Sequence, residues 1–364
     1  MVLYKSNNNI FEEIVDMMRV IKPKRLSEGD TVAIVSPSEG VPERFPHIYE
    51  HGLDMIRKHL GLEVKEYDTA RKSNDYLYMH PRERAEDINN AFADKEVKAI
   101  IVSIGGDDSV RILDYLDMKK IKKNPKIIMG LSDSTTFLDY IHLRTGLMTY
   151  YGPTVMAGLS QTERFPSSFL DMIRSLLFKP KEGYEYKSFP FWSDGYPEWA
   201  EKGNVGKINK RHKNEGWHWL QGKKAVKGRL FGGCADVLEF MKGTHFWPSN
   251  DFWNGKILFL ETSEEKPSPD TVKYWVRNYG SQGILERIAA LLIAIPSGYS
   301  MEEKTRMEDK VQSVLKLEFG VGDIPLVTNM DFGHTDPKLI LPIGAIAEVD
   351  PHRKRFRLLE KSVK

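Results

Sequence analysis

The sequence predicts an α/β protein, with a Rossmann-like parallel-sheet N-terminal domain and a smaller mixed, β-rich C-terminal domain. In the first half, short apolar runs alternate with stretches whose apolar residues recur at helical spacing, a pattern typical of βαβ units. In the second half such units are fewer, and short strands follow one another towards the C terminus. The chain has 364 residues, more than one hydrophobic core usually organises, which favours two domains.

The first half alternates strands and helices from residue 21 onwards. Strands are predicted at 31–35, 62–67, 99–104, 126–129 and 148–151, and helices at 49–60, 81–93, 110–116 and 134–144. Gly61 and Gly146 end two of the helices, and Pro81 begins another. The polar turn at 36–40 follows the first strand, at the sheet edge where ligands usually bind. No G-x-G-x-x-G or Walker A sequence follows that strand, so a dinucleotide site is not indicated.

The composition changes after residue 180. The segment 181–222 interleaves Gly, Pro, Lys and Glu with aromatic residues, among them Trp192 and Trp199, and is predicted as an inter-domain loop. Its aromatic side chains either stack on a planar ligand or pack beneath the loop. Beyond it, helices are predicted at 235–241, 271–279 and 284–292, the last of which continues towards a strand at 290–295, and further strands are predicted at 256–260, 324–328, 338–342 and 345–349.

These patterns divide the chain into four parts. Residues 1–21 form an N-terminal extension with a short amphipathic helix at 10–20, and 22–180 form the Rossmann-like domain. The inter-domain loop spans 181–222, and the β-rich domain spans 223–364.

Charge and hydropathy exclude several classes of partner. Basic residues number 53 and acidic residues 51, a formal net charge of only +2, so neither nucleic acid nor an anionic membrane is indicated. No apolar run approaches the roughly 18 residues that a membrane span needs, and the N terminus lacks the features of a secretory signal. A single cysteine, Cys234, excludes an intramolecular disulfide and suits a reducing cytoplasm. We therefore expect a cytoplasmic protein.

Ser109 is the first candidate for catalysis. It follows a buried strand and the break at Gly105 and Gly106, so its hydroxyl could face a cleft near free N–H groups at a helix start. The spacing G-G-x-x-S differs from the G-x-S-x-G of α/β-hydrolases. A helix N-cap or a phosphate-binding turn therefore remains an alternative for this serine.

A serine nucleophile needs a base and an acid that orients the base. His334 is the best candidate base because Gly and Asp-Pro flank it and predict a tight turn, whereas His142 lies in a helical pattern. Glu261 ends an apolar strand, which directs its carboxylate beyond the sheet edge. It could equally cap the residues that follow it, or belong to a solvated group with Glu264 and Glu265.

Metal chemistry is the weaker alternative. The sequence has no H-E-x-x-H, no paired cysteines and no spaced His/Asp cluster, and Asp107 and Asp108 fit a polar turn. We therefore predict no metal site. Cys234 precedes a predicted helix, where a thiol pKa can be lowered, so it is a minor alternative nucleophile, although a small buried residue is the simpler interpretation.

Seven ordered motifs between residues 22 and 357 together resemble the LD-carboxypeptidase family of serine peptidases. They are GDTVAIVSPS at 29–38, RAEDIN at 84–89, the turn with Ser109, GLSD at 130–133, GRLFGG at 228–233, Leu-Glu at 260–261 and FGH at 332–334. GGDDS at 105–109 and EGW at 215–217 are nearer the branch of the microcin C self-immunity protein than the muramoyl-tetrapeptide carboxypeptidases.

The resemblance implies a catalytic triad of Ser109, Glu261 and His334. It also implies an oxyanion hole of backbone N–H groups that includes those of Gly106 and Val110. No cofactor is implied, and members of the family are usually dimeric, so a homodimer is expected.

The resemblance further implies a small-molecule or short-peptide substrate. It implies that the chain is a serine peptidase or amidase that cleaves an amide bond in an aminoacyl-nucleotide compound. Trp192 and Trp199 are the positions expected to stack on the nucleotide. An LD-carboxypeptidase that acts on muramoyl tetrapeptides during cell-wall recycling is the alternative, and a non-catalytic protein that binds a nucleotide or a muropeptide is a second one.

Overall fold

The computed structural model describes residues 20–364. The predicted helix at 10–20 lies outside the described residues except for Val20, and so does nearly all of the predicted extension at 1–21. The described chain forms two large sheets and one small one. The first large sheet is mostly parallel and belongs to the N-terminal half, and the second is mixed. The predicted fold class is confirmed.

The N-terminal sheet has six strands in the order β14-β5-β4-β3-β1-β2. These strands are β1 Thr31–Val35, β2 Glu63–Glu66, β3 Val97–Val102, β4 Ile127–Gly130, β5 Thr149–Tyr151 and β14 Leu341–Ile343. The first five are parallel, and β14 arrives from the C-terminal half and pairs with β5 in antiparallel fashion. The central strands β1, β3 and β4 are almost entirely buried, because helices cover both faces of a parallel sheet.

The helices of this half are α1 Val41–Arg44, α2 Pro46–Met55, α3 Asn74–Met79, α4 Pro81–Ala93, α5 Met118–Lys123, α6 Thr135–Thr145 and α7 Ser167–Ile173. Gly61 and Gly146 adopt the left-handed conformation that the sequence predicts at helix ends. The helix predicted at 110–116 is instead a 3₁₀ helix, Ser109–Tyr115. This short form suits a connection whose first residue is held by hydrogen bonds to another loop, as described below.

The second large sheet has seven strands in the order β16-β15-β9-β10-β11-β12-β8. They are β8 His218–Gln221, β9 Val226–Cys234, β10 Lys256–Glu261, β11 Ala290–Ala294, β12 Leu326–Met330, β15 Ile346–Asp350 and β16 Arg355–Leu358. Strands β9 to β12 are parallel, and the outer strands are antiparallel. The helices are α8 Ala235–Met241, α9 Pro269–Ser281 and α10 Met301–Ser313.

The helix predicted at 284–292 is wrong, because residues 284–289 lie in turns between α9 and β11 and strand β11 begins at Ala290, within the strand predicted at 290–295. All five residues of β11 are buried, and the strand lies between β10 and β12. A short apolar run with neighbours on both sides is the case that periodicity alone does not assign to helix or strand.

The segment 181–222 contains three short strands. Two of them, β6 Phe191–Asp194 and β7 His212–Lys213, pair with each other, and β6 also pairs with β13 Thr335–Asp336. The third is β8, at an edge of the second large sheet. The segment is therefore joined by hydrogen bonds to the residues that directly follow His334.

Several contacts join the two halves besides the pairing of β14 with β5. The Tyr150 hydroxyl donates to the carbonyl of Ser362 at 2.6 Å, and the Arg25 amide donates to the carbonyl of Lys364 at 2.9 Å. The C-terminal residues thus pack against the first sheet. None of the helices in the described part of the chain is both long enough and apolar enough to span a bilayer.

The close approach of β9 to β10 requires glycine at position 232. Gly232 has a φ of +137°, and a Cβ atom there would lie 1.9 Å from the carbonyl oxygen of Phe259. We expect Gly232→Ala to lower the free energy of unfolding by about 3 kcal/mol, from backbone strain and overpacking together. Urea denaturation measures this, with Gly203→Ala as the control, because a Cβ atom there meets nothing within 4 Å. Equal stability of the two variants would contradict the prediction.

Candidate active site

A cavity of about 780 Å³ opens where loops from both large sheets meet. The loops that follow β1, β3 and β4 contribute Glu39, Gly106 and Ser132, and the loop that follows β10 contributes Glu264. His334, from the loop between β12 and β13, completes this wall. The carboxyl ends of parallel strands therefore form the site, as they do in open α/β sheets generally.

Ser132 occupies a strained turn at the wall of this cavity. It lies between β4 and α6 with a φ of +60°, which is rare for a residue other than glycine and often marks a functional position. Its backbone N–H donates to the Tyr151 hydroxyl at 3.1 Å. A Cβ atom at Gly105 would lie 2.9 Å from the Ser132 Cβ, so the glycine leaves room for the serine. A sharp strand-to-helix turn of this kind is how a nucleophilic serine is exposed.

The buried carboxylate of Asp133 fixes this turn against two neighbouring loops. Its Oδ2 accepts from the Ser38 hydroxyl at 2.6 Å and from the Ser109 backbone N–H at 2.8 Å. Burial raises the pKa of Asp133, and the hydrogen bonds from Ser38 and Ser109 oppose that shift in part. The loops after β1, β3 and β4 are therefore held in one arrangement.

Ser109 does not lie at the cavity. Its side chain is fully buried, and its hydroxyl donates to the carbonyl of Asp133 at 2.7 Å and lies 2.6 Å from the Thr136 hydroxyl. Neither Ser109 nor Val110 is among the residues that line the cavity, whereas Gly106 is. The structure therefore does not bring the predicted nucleophile to the predicted base, and Ser109 instead supports the turn that carries Ser132.

The predicted acid and base do meet. The Nδ1 atom of His334 lies 2.7 Å from Oε2 of Glu261, and the backbone N–H of His334 donates to the same oxygen at 3.2 Å. Glu261 is almost completely buried. Two hydrogen bonds to one carboxylate oxygen hold the imidazole in a fixed orientation, with Nδ1 towards the acid and Nε2 towards the cavity.

Gly333 permits this contact. It has a φ of +86°, and a Cβ atom at that position would lie 2.4 Å from Oε2 of Glu261. The turn before the histidine therefore requires a residue without a side chain.

Tyr151 connects the acid to the serine turn. Its hydroxyl donates to Oε1 of Glu261 and accepts the backbone N–H of Ser132. Both carboxylate oxygens of Glu261 thus have a hydrogen-bond partner. One partner is Tyr151 on the first sheet, and the other is His334. Tyr151 therefore fixes the position of Glu261 relative to Ser132 across the two halves of the chain.

Glu264 contacts the other nitrogen of the histidine ring. Its Oε2 lies 2.7 Å from Nε2 of His334, although its side chain is 67% exposed. Burial alone would lower the pKa of His334, but the charges and hydrogen bonds of Glu261 and Glu264 outweigh it and raise that pKa to about 10. The hydrogen bond with His334 in turn lowers the pKa of Glu264 to about 2. In this arrangement the histidine is an imidazolium at neutral pH.

Cys234 lies beside the triad candidates. Its sulfur, a Glu261 oxygen and a His334 nitrogen all lie within 4.8 Å of one another, so the three side chains could together hold a metal ion. Burial, followed by the charge of Glu261, raises the pKa of Cys234 well above its usual value. A thiol that stays protonated is a poor metal ligand and a poor nucleophile.

The two tryptophans predicted to bind substrate differ in position. Trp199 lines the cavity and packs edge-on against Phe45, with ring centroids 5.9 Å apart. Trp192 is absent from the lining, is only 9% exposed, and stacks on His212 with the Lys304 ammonium over its ring. Trp192 therefore packs beneath the loop, which was the alternative given for these aromatic residues.

Three residues of this site are not predicted as functional side chains from the sequence. Ser132 had a visible signal, because Gly-Leu-Ser-Asp follows a buried strand and precedes a helix in the same way as the segment around Ser109. Tyr151 and Glu264 had none, because their roles depend on contacts between residues more than 60 positions apart in the chain.

Comparison with known proteins agrees with this architecture. Residues 32–152 match the model of the LD-carboxypeptidase N-terminal domain, and residues 227–349 match that of the C-terminal domain. The chain belongs to the LD-carboxypeptidase family of serine peptidases. It is thus a hydrolase of the serine carboxypeptidase or amidase type.

Two relatives in the family illustrate its range. The microcin C7 self-immunity protein of Escherichia coli is 27% identical over 92% of this chain and 95% of its own length. The murein tetrapeptide carboxypeptidase of Pseudomonas aeruginosa is 26% identical over 89% of this chain and 94% of its own length.

Solved structures of the self-immunity protein superpose on nearly the whole chain. Its complex with aspartyl sulfamoyl adenosine has a TM-score of 0.84 at 27% identity and covers 94% of this chain and all of that one. The same protein has been solved with glutamyl sulfamoyl guanosine. It has also been solved as an active-site mutant in which a serine, an asparagine and a lysine are replaced by alanine.

The ion pair between His334 and Glu264 predicts how stability depends on pH. The pKa of His334 is raised from 6.5. The folding stability that its charge contributes is therefore complete below pH 6.5 and is lost as pH rises towards 10. The pKa of Glu264 is lowered from 4.5, so its contribution is complete above pH 4.5 and is lost as pH falls towards 2. We expect Glu264→Gln to destabilise the protein most between pH 4.5 and 6.5.

Urea denaturation of the wild type and of Glu264→Gln across this range measures the difference. Glu286→Gln is the control, because Glu286 is exposed and distant in sequence from the site. A destabilisation by Glu264→Gln that did not vary with pH would contradict the ion pair.

Proposed function

We propose that Ser132 is the nucleophile, His334 the general base and Glu261 the residue that orients the base. The observation that carries this proposal is the strained turn at Ser132, in the wall of the same cavity as His334, whose other ring nitrogen is bonded to Glu261. The order serine, acid, histidine along the chain is unchanged from the order that the resemblance implies.

The proposed reaction begins when the Ser132 Oγ attacks the carbonyl carbon of the scissile amide. His334 takes the serine proton at Nε2 and then gives it to the leaving nitrogen, so the amide bond breaks and an acyl-enzyme forms. A water molecule attacks the acyl-enzyme in the same way and releases the acid. Glu261 stabilises the imidazolium in both steps.

The negative charge on the carbonyl oxygen requires N–H donors. The residue after a nucleophile at a strand-to-helix turn supplies one of them, and a neighbouring loop supplies the second. In this chain those donors are the N–H of Asp133 and the N–H of Gly106, which lines the cavity. The hydrogen bonds from Ser38 and Ser109 to the Asp133 carboxylate fix the position of the first donor.

Glu264 must leave His334 before the reaction starts. Its carboxylate occupies Nε2, the atom that has to accept the serine proton, and its contact favours the protonated base. The exposed position of Glu264 allows it to turn towards solvent when a substrate enters. We therefore assign the observed arrangement to the resting enzyme.

The substrate that we propose is an aminoacyl-nucleotide compound, cleaved at its amide bond. This rests on the likeness to the self-immunity protein, whose structures hold aminoacyl sulfamoyl nucleosides, and on Trp199 in the cavity wall. A muramoyl tetrapeptide is the second candidate, because the murein tetrapeptide carboxypeptidase matches the chain over a similar length. The homodimer stays a prediction from the family resemblance, and the cytoplasmic location stays a prediction from the single cysteine.

Mass-spectrometric product analysis tests the nucleophile and the substrate together. The wild type is expected to release the amino acid from an aminoacyl sulfamoyl adenosine, and Ser132→Ala is expected to lower kcat by about 10⁴-fold or more. Release of terminal D-alanine from a murein tetrapeptide would instead favour the second candidate. Full activity of a folded Ser132→Ala protein would contradict the triad, and turnover of neither compound would favour a binding protein.

The variant Ser109→Ala tests whether Ser109 supports the turn that carries Ser132 or is itself the nucleophile. Loss of the Ser109 hydroxyl removes one donor to the Asp133 carbonyl, so we expect a decrease in kcat of about tenfold, the effect of a misplaced reacting group. KM should stay nearly constant. Ser38→Ala is the matched variant, because it removes the hydroxyl that donates to the Asp133 carboxylate. A decrease in kcat as large as that of Ser132→Ala would instead indicate that Ser109 is the nucleophile.

A further inference from the structure

Carboxylates dominate the polar lining of the cavity. Six of them contribute to it: Glu39, Asp107, Asp236, Glu239, Glu264 and Glu265. In the described part of the chain, no lysine or arginine lines the cavity, and His334 is its one basic residue. The wall therefore carries a large excess of negative charge.

Three of these carboxylates already have partners. Glu239 forms an ion pair with Lys242, and Glu264 is bonded to the histidine of the triad. Asp236 accepts from the backbone N–H and the hydroxyl of Ser263 at 3.0 and 2.9 Å. The charge of these groups is offset within the protein or used to hold a loop.

The other three have no partner among residues 20–364. Glu39, Asp107 and Glu265 take part in no hydrogen bond or ion pair through their side chains there. Burial raises the pKa of Glu39, and the negative charges of Asp107 and Glu264 raise it further. Like charges collected in this way repel one another, and a bound cation relieves that repulsion.

Two buried cations of the described chain are already engaged with other carboxylates. Lys338 is buried, and its ammonium lies 2.7 Å from an oxygen of Asp336. Arg84 is buried as well and forms two hydrogen bonds with Asp108, at 2.5 and 3.1 Å. Neither cation is therefore free to neutralise Glu39, Asp107 or Glu265, and a cationic ligand would supply the missing positive charge.

Aromatic faces surround the same space. Trp199, Phe240 and Trp275 line the cavity, and the Phe240 side chain is 44% exposed. Aromatic rings with nearby carboxylates are a favourable environment for an ammonium or guanidinium group. This second feature indicates the same kind of ligand as the free carboxylates do.

We propose that the cavity selects an aminoacyl group with a basic side chain, lysyl or arginyl, and rejects aspartyl and glutamyl groups. The inference rests on the proposed function, because it names the substrate class of the same site. It also separates this chain from the self-immunity protein, which has been solved with aspartyl and glutamyl compounds and whose active site includes a lysine.

Calorimetric binding to the Ser132→Ala protein tests the charge preference without turnover. The probes are the lysyl, norleucyl and glutamyl sulfamoyl adenosines, of which norleucyl is the uncharged counterpart of lysyl. We expect lysyl to bind about tenfold more tightly than norleucyl and about a hundredfold more tightly than glutamyl. The preference should shrink as salt is added, because exposed charges are screened.

Substitution of the free carboxylates tests whether they cause the preference for lysyl over glutamyl. In the Ser132→Ala background, Glu39→Gln combined with Glu265→Gln should reduce the preference for lysyl over glutamyl by about tenfold or more. The matched control Glu286→Gln should leave it unchanged, and thermal unfolding verifies that each variant is folded. Glutamyl binding as tight as lysyl, a preference that survives the double substitution, or no binding of any probe would each overturn the inference.

Hydrolysis of the same probes by the wild type keeps the two proposals apart. Turnover of all three probes without a charge preference in binding would overturn only the inference. Binding that prefers lysyl, without turnover of any probe, would overturn the proposed hydrolysis and support the charge preference.

Discussion

The buried carboxylate of Asp133 is the constraint on which the site depends. One of its oxygens binds a hydroxyl from the loop after β1 and a backbone N–H from the loop after β3, while its own backbone forms the turn after β4. A buried carboxylate without such donors would be strongly unfavourable. The three loops therefore adopt one arrangement, in which Ser132 keeps its unusual backbone conformation.

The second half of the site depends on Glu261 in a similar way. This carboxylate binds a tyrosine of the first sheet with one oxygen and the histidine of the second half with the other. Because both partners approach a group that is almost fully buried, their positions relative to one another are fixed. The two halves of the chain thus share one polar network, and the cavity lies where that network reaches the surface.

Much of the fold could be predicted from the sequence, because the apolar runs of parallel strands and the glycines that end helices are local signals. Helix α8 has the predicted bounds, 235–241, and Glu261 and His334 lie together as the family resemblance implied. The error at 284–292 arose where a buried apolar run fits either a helix or a strand.

Which serine lies at the cavity was harder to predict. Ser109 and Ser132 each follow a strand and a glycine, and only the three-dimensional arrangement shows that Ser132 lines the cavity whereas Ser109 is fully buried away from it. A positive φ at a serine leaves no trace in the sequence. The same holds for Trp192, whose burial depends on Lys304 and His212 far along the chain, and for the contact of Glu264 with His334.

The pairing of β14 with β5 limits how the enzyme can move. A strand from the end of the chain is part of the first sheet, and residues near the C terminus are bonded to the same half. A hinge between the two halves would have to break that strand pairing before it opened. The route into the cavity therefore depends on the movement of individual loops and side chains. Release of His334 Nε2 by Glu264 is enough to open the site to a substrate.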